Sequence, residues 1–391
     1  MQNVLVTGGC GFIGTNFIQY LLQLPEFSGR VVNIDKLSYA GTRQNLETFE
    51  RDLPERYRFI QIDICNGPQV EKLLTDAHID TIVHMAAESH VDRSIDSSAP
   101  FIETNVGGTH ALLEAARRYL SHSPPDHPFR FLHVSTDEVF GALGPEGTFT
   151  EDSPYAPNSP YAASKAGSDL LVRAWGQTYG LPVLTTNCSN NYGPYQFPEK
   201  LIPVVILSAL RRQPVPVYGQ GTNVRDWLYV GDHASALYTV ATRAEPGARY
   251  NIGGDCERTN IDLVTALLKI LSEKLSDGFD YTSLISFVKD RPGHDLRYAV
   301  DATRLANELG WKPTMPIEDG LRKTVDWYLE NRAWWESLLG TTDGSLERRG
   351  QLGSPQAGAE GGAPAQATNA ASSSRGVLGA GVIPSMTREQ A

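Results

Sequence analysis

The stretch Thr7-Gly8-Gly9-Cys10-Gly11-Phe12-Ile13-Gly14 constrains this chain more than any other. It follows a short apolar run, Val4-Leu5-Val6, and opens Phe12–Leu24, where Phe17, Ile18, Leu21 and Leu22 recur at helical spacing. In a strand–turn–helix unit a glycine at Gly8 permits the tight turn. Gly11 lets a pyrophosphate approach the backbone, and Gly14 lets the helix pack closely on the sheet. The free N–H groups of Phe12, Ile13 and their neighbours, with the helix dipole, then favour an anion. Glycine spacing alone also suits a structural turn, so the strand before it and the helix after it carry the reading. Asp35 closes the next β-rich run, 21 residues beyond Gly14. A carboxylate there accepts hydrogen bonds from both ribose hydroxyls of NAD and repels the 2′-phosphate of NADP. The same geometry puts Asp63 and Ile64 beside the adenine.

The runs that follow alternate. Arg30–Asp35, Tyr57–Ile64, Thr81–Ala87, Phe129–Thr136 and Pro182–Cys188 read as strands, with helices over Val70–Ala77, Phe101–Leu120 and Tyr161–Tyr179. Such alternation predicts an α/β chain, a doubly wound parallel sheet of the Rossmann kind with helices on both faces. The strand runs are almost continuously apolar, as burial on both faces requires. Beyond residue 190 the loops lengthen and prolines accumulate (Pro194, Pro198, Pro203, Pro214, Pro216), with helices expected over Ile261–Leu275, Ala302–Leu309 and Ile317–Trp335. This divides the chain into a mainly nucleotide-binding part, 1–190, and a mainly substrate-binding smaller lobe, 191–340. Of the 42 residues in 350–391, 25 are Gly, Ala, Ser or Pro and none is aromatic, which predicts a disordered tail.

The formal net charge of −11 argues against a nucleic-acid or anionic-membrane surface. No run approaches the roughly 20 apolar residues of a membrane span. Cys10, Cys65, Cys188 and Cys256 form no CxxC pair, which argues against a disulfide framework and a zinc site. The expectation is a cytoplasmic, soluble protein with free thiols and no metal, nucleic-acid or membrane partner.

Tyr161 and Lys165 stand four apart, on one face of a helix. A phenol is a poor base at neutral pH, and a cation one turn away lowers its pKa. The pair can then take a proton from an alcohol while hydride leaves the same carbon. The fifth strand ends in Ser135-Thr136-Asp137-Glu138-Val139-Phe140-Gly141, and ligands of open α/β sheets bind outside the carboxyl ends of strands. Thr136 offers a hydroxyl to a sugar. Asp137 and Glu138 exceed what an oxidoreductase or epimerase needs. A neutral carboxylic acid beside an ionised one suits an elimination, one protonating a departing hydroxyl and the other removing a proton. The bland alternative is a solvated N-cap pair.

Taken with the longer runs, these residues resemble the extended short-chain dehydrogenase/reductases and, within them, the dTDP-glucose 4,6-dehydratases, over about residues 1 to 335. The runs include Asp35–Gly41, Ala86–Ser94, Asn187–Tyr195, Phe197–Pro203, Arg225–Val230 and Asp290–His294. The resemblance implies an NAD site that also takes in Lys36, Leu37, Ser38, Met85, Ala86, Ala87, Glu88, Ser89, Thr104 and Asn191. It implies substrate contacts from Ser89, Thr136, Asn190, Lys200, Leu201 and Arg225 around a diphosphate. Pro216, Val217 and Tyr218 would flank the base, with Asn260, Asp290, Arg291, Pro292, Gly293 and His294 completing that pocket. It implies a homodimer that converts dTDP-α-D-glucose to dTDP-4-dehydro-6-deoxy-α-D-glucose and water, a step in deoxysugar nucleotide biosynthesis. Phe140 stands where the family usually has Tyr, a change expected to affect packing alone. Other readings stay open: a UDP-glucose 4,6-dehydratase, a 4-epimerase, or a non-catalytic sugar-nucleotide-binding subunit.

Overall fold

Seven mutually parallel strands build the main sheet: β1 (Asn3–Thr7), β2 (Arg30–Asp35), β3 (Tyr57–Gln61), β4 (Thr81–His84), β5 (Arg130–Thr136), β6 (Val183–Cys188) and a late strand, Arg249–Ile252. The computed structural model describes residues 1–341 apart from Pro125, Arg291 and Pro292, so the tail expected over 350–391 lies outside the described residues. The strand order is late strand-β6-β5-β4-β1-β2-β3. The order reverses between β1 and β4, which opens a crevice at their carboxyl ends. Around the sheet lie α1 (Phe12–Gln23), α2 (Glu47–Asp52), α3 (Gly67–Asp76), α4 (Val91–Asp96), α5 (Ala99–Phe101), α6 (Thr109–Ser121) and α7 (Pro160–Tyr179). The expected long helix over Phe101–Leu120 is present but not uniform. A π-helical segment, Ile102–Gly108, joins α5 to α6.

After β6 come β7 (Asn190–Tyr192), α8 (Leu201–Leu210), β8 (Val215–Tyr218), β9 (Val224–Tyr229), α9 (Val230–Arg243), β10 (Arg249–Ile252, the late strand), β11 (Glu257–Thr259), α10 (Asn260–Leu275), β12 (Ile285–Val288), α11 (Thr303–Leu309), α12 (Ile317–Glu330) and α13 (Arg332–Thr341). Two small sheets, β11-β9-β7 and β12-β8, belong to this part. Their core gathers Ile202, Val205 and Ile206 of α8 with Leu263, Leu267, Leu321, Val325 and Tyr328. The chain also returns to the first sheet here. β10 pairs with β6, and Ala234, Leu237, Val240 and Ala241 of α9 share one core with Phe17, Ile18 and Leu21 of α1.

Helix α8 forms where prolines read as loop. Pro203 lies in its first turn, where the missing N–H has no intrahelical partner to lose. The single helix expected over Ile317–Trp335 is two. At Asn331 the side chain turns back to donate to the Trp327 carbonyl at 2.8 Å, and α13 starts anew. From α13 the Trp334 indole donates to Asn45 Oδ1 at 2.7 Å. Asn45 in turn donates to the Cys10 carbonyl at 3.3 Å and Thr15 Oγ1 at 3.1 Å, beside the glycine loop.

Candidate active site

Gly8 takes φ +72, a left-handed conformation, and a Cβ there would lie 2.7 Å from the Ala86 backbone. At Gly14 it would lie 2.4 Å from the Gly8 carbonyl oxygen. These two positions admit no side chain, whereas a Cβ at Gly11 meets only the Gly8 oxygen, at 3.4 Å, and its open side faces the crevice. Gly11 is the N-cap of α1 and has no side chain to accept from the first turn, which leaves those donors for an anion. At the end of β2, Asp35 accepts from Cys10 N at 3.0 Å and Leu37 N at 2.8 Å. Burial raises its pKa, and these two N–H groups with Lys36 oppose the rise. Lys36 binds Glu88 at 3.1 Å and Thr104 Oγ1 at 2.8 Å. A bare-backbone cradle followed by a strand-end carboxylate fits NAD.

One cleft gathers most of the expected cofactor residues with all the expected catalytic ones. Gly8, Gly11, Phe12, Ile13, Gly14, Asp35, Lys36, Ser38, Asp63, Ile64, Met85, Ala86, Ala87, Ser89, Thr104, Asn190, Asn191 and Lys200 line it together with Thr136, Asp137, Glu138, Tyr161 and Lys165. Leu37 and Glu88 stand beside it through the Asp35 and Lys36 contacts.

Helix α7 delivers the Tyr–Lys pair. Ser159 caps it by accepting from Ala162 N at 3.1 Å, with Pro160 at its first position. The Tyr161 backbone N–H donates to Ser94 Oγ at 3.1 Å. Tyr161 and Lys165 are both buried. The structure corrects the electrostatic expectation for this pair. Burial, then Glu138 and Cys188, pushes the Tyr161 phenol well above its ordinary value, outweighing the hydrogen bond from Thr136 and the nearby Lys165 cation that favour the phenolate. Lys165 Nζ donates to the Val134 carbonyl at 2.9 Å. Burial lowers its own pKa, opposed by Asp169 and Cys188.

The acids occupy a single 3-10 turn, Asp137–Phe140, at the end of β5. Thr136 caps the turn by accepting from Glu138 N at 3.3 Å, while its hydroxyl donates to Asp137 Oδ1 at 3.3 Å. Gly141, at φ +88, ends the turn against the Ala156 carbonyl. Asp137 is 2% exposed, so the solvated N-cap reading fails for it. Burial first, then Glu138 and Asp226, drives its carboxyl well above the carboxylate range. A carboxyl held neutral this way is a proton donor. Phe140 is buried and stacks on Phe149 with ring centres 5.2 Å apart, so its substitution for Tyr is met by packing.

The other expected substrate residues gather in the later part of the chain, apart from the cleft wall. His294 binds Asp290 at 2.6 Å and lies edge-on to Tyr218 of β8 at 6.1 Å. The Tyr218 hydroxyl donates to Asp92 at 3.3 Å. Pro216 and Val217 precede Tyr218 on β8, Gly293 precedes His294, and Leu201 opens α8. Asn260 opens α10, its backbone N–H on the Asn223 carbonyl at 2.9 Å. Arg291 and Pro292 lie outside the described residues. The Arg225 guanidinium donates to the carbonyls of Val224, Asp295 and Leu296 and stands 4.3 Å over the Tyr298 ring. It also acts on Asp137, pulling that carboxyl down.

The sequence reading missed several neighbours. Glu199 accepts from the Tyr39 hydroxyl at 2.9 Å and Arg93 Nε at 3.3 Å. Cys188, its thiol pushed up to about 12 mainly by burial, stands in the cleft wall. Asp169, His133 and Asn187 lie behind Lys165.

A family model described as GDP-mannose 4,6 dehydratase matches residues 5–324. A dTDP-glucose 4,6-dehydratase of Neisseria meningitidis serogroup B is 53% identical over 359 residues, spanning 90% of this chain and 99% of the relative. The chain belongs to the dTDP-glucose 4,6-dehydratase family. Among solved structures, the dTDP-glucose 4,6-dehydratase of Streptomyces venezuelae with NAD bound superposes with a TM-score of 0.78 at 46% identity, covering 86% of this chain and 100% of that one. A UDP-glucose 4-epimerase of Thermotoga maritima shares the fold at 26% identity and a TM-score of 0.73, covering 85% and 100%.

Proposed function

We propose that this chain is an NAD-dependent dehydratase converting dTDP-α-D-glucose to dTDP-4-dehydro-6-deoxy-α-D-glucose and water. The observation that carries the reading is Asp137, a carboxyl buried beside Glu138 in the cleft that also holds Tyr161 and the glycine cradle. NAD, which the Gly8–Gly14 cradle and Asp35 would hold, would supply reversible hydride-transfer chemistry at the sugar. Tyr161 takes the 4-hydroxyl proton, held by Thr136 and Lys165. The resulting ketone acidifies C5–H, and Glu138 removes that proton. Asp137 protonates the 6-hydroxyl, which leaves as water. Reprotonation at C5 completes the product. Gly8–Gly14, Asp35–Ser38, Asp63, Ile64, Met85–Ser89, Thr104 and Asn191 would hold the cofactor. Lys200, Arg225, Tyr218, Asn260 and Asp290–His294 hold the nucleotide half of the substrate.

The division into 1–190 for cofactor and 191–340 for substrate belongs to the same reading, as do a cytoplasmic location and a homodimer. Four free cysteines support the first of the latter two. Large apolar side chains left exposed at Ile102, Leu170 and Tyr179, on the neighbouring π-helical segment and α7, support the second. Leu170→Glu should yield monomers by sedimentation. Purified protein incubated separately with dTDP-glucose and UDP-glucose tests the reaction, read as the alkali-induced absorbance of a 4-ketosugar. Product from dTDP-glucose is expected. Product from UDP-glucose alone, or isomerisation at C4 without loss of water, would refute the assignment.

A further inference from the structure

Behind Lys165, away from the cleft, one turn further along α7, sits a second buried carboxylate. Asp169 is 3% exposed. Its Oδ1 faces His133 Nε2 at 3.0 Å, and its Oδ2 accepts from the Tyr155 hydroxyl at 2.6 Å and from Asn187 Nδ2 at 3.1 Å. Burial lowers the His133 pKa, so the ring is neutral and its proton sits on Nε2, where the carboxylate accepts it. These partners are not idle packing. His133 is three residues before Thr136 on β5. The Asn187 amide that donates to Asp169 also donates to the Thr136 carbonyl at 3.0 Å. Arg249 Nε anchors the other end of Asn187 at 3.0 Å. Asp169 thereby ties the helix that carries Tyr161 and Lys165 to the strand end that carries Thr136, Asp137 and Glu138.

Charge gives the tie a second role. The Lys165 ammonium is buried, and a buried cation without a counter-charge tends to lose its proton. Asp169 is the carboxylate one turn away. The other ionisable groups acting on Tyr161 and Lys165 are Asp137 and Glu138 from the strand end, Cys188 from β6, and the buried imidazoles His84 and His133.

We infer that Asp169 is a positioning residue for the oxidation step, its carboxylate keeping Lys165 charged beside Tyr161 and holding the Thr136 strand end through Asn187. The inference rests on the reading of Tyr161 as the alcohol base. Asp169→Asn keeps the shape and most of the hydrogen bonds but removes the charge. Without it Lys165 is more readily neutral and Tyr161 reaches its basic form only at higher pH. The test uses the full-length holoenzyme with dTDP-glucose. In Asp169→Asn, first-turnover reduction of the bound cofactor should slow by about tenfold or more. The acid limb of kcat/KM should move to higher pH, with KM and bound NAD near wild type. Asp169→Glu should recover part of both effects. A variant that only melts earlier, with an unmoved acid limb, overturns the inference. Should Asp169→Asn fail to fold, Tyr155→Phe removes one of the bonds that hold the carboxylate. A smaller shift of the same sign supports the inference, and an unmoved limb overturns it. If the wild-type enzyme itself forms no reduced cofactor from dTDP-glucose, the assignment of function has failed, which is a separate result.

Discussion

Replacing Glu138 by glutamine should separate the two halves of the reaction. The substitution leaves Tyr161, Lys165 and Thr136 in place and removes the base for C5. General acid–base groups contribute roughly 10²–10⁴-fold, or about 3–5 kcal/mol of barrier, and that much should be lost from the elimination. The oxidation should respond in the opposite sense. After burial, Glu138 is the strongest influence raising both the Tyr161 phenol and the Asp137 carboxyl. With its charge gone, Tyr161 reaches its basic form at lower pH, so the acid limb of the first step should move down. The assay is a single turnover followed by the absorbance of reduced nicotinamide. Enzyme-bound NADH should rise at a rate near wild type and decay slowly, with 4-ketosugar product appearing on the slow phase. Wild-type turnover would refute the role of Glu138 as the C5 base. No reduced cofactor at all would mean that this carboxylate assists the oxidation, and the division of labour with Tyr161 would be wrong.

Asp137→Asn should lose turnover yet gain stability. A carboxyl whose folded pKa is raised above the ordinary value of 3.8 destabilises the fold as pH rises past that value, because unfolding lets it ionise. The melting-temperature gap between variant and wild type should therefore widen from about pH 4 upward, and a gap independent of pH would contradict the buried neutral acid. Asp35→Ala should weaken NAD retention through purification without changing the melting temperature by more than a few degrees, and a preference for NADP in the wild type would contradict the role of Asp35. Trp334→Phe removes the hydrogen bond to Asn45 and leaves that acceptor buried without it, which should cost about 1–3 kcal/mol in urea unfolding.

What the sequence made legible was local. The glycine loop, Asp35 at a strand end, and Tyr161 four residues before Lys165 each depend on short spacings that any strand or helix must honour. The acid pair was legible because Asp137-Glu138 follows directly on a strand. The missed features depend on contacts between distant segments. Nothing in Arg249–Ile252 marks it as the outer neighbour of β6, since four half-apolar residues suit any small sheet. Nor does Val230–Arg243 reveal that its apolar face meets α1. The tuning of Tyr161 was misjudged because spacing shows that Lys165 is near but not that burial of the phenol outweighs the cation. Asp169 had one available clue, a carboxylate four residues after Lys165 on the same helix. Its partners on β5 and β6 could not be read from the chain.

The bond from Trp334 to Asn45 joins residues 289 positions apart in the chain. A polypeptide emerging from the ribosome presents its glycine loop first and the indole that braces it near the end. Closing so large a loop is entropically slow, and long-range contacts form late. The first seven strands in space include one that is synthesised only after residue 248. The seven-stranded sheet therefore cannot be completed until that strand has emerged. The Trp334 brace on the glycine cradle comes from one of the last described helices, so the braced cradle belongs to a late stage of folding.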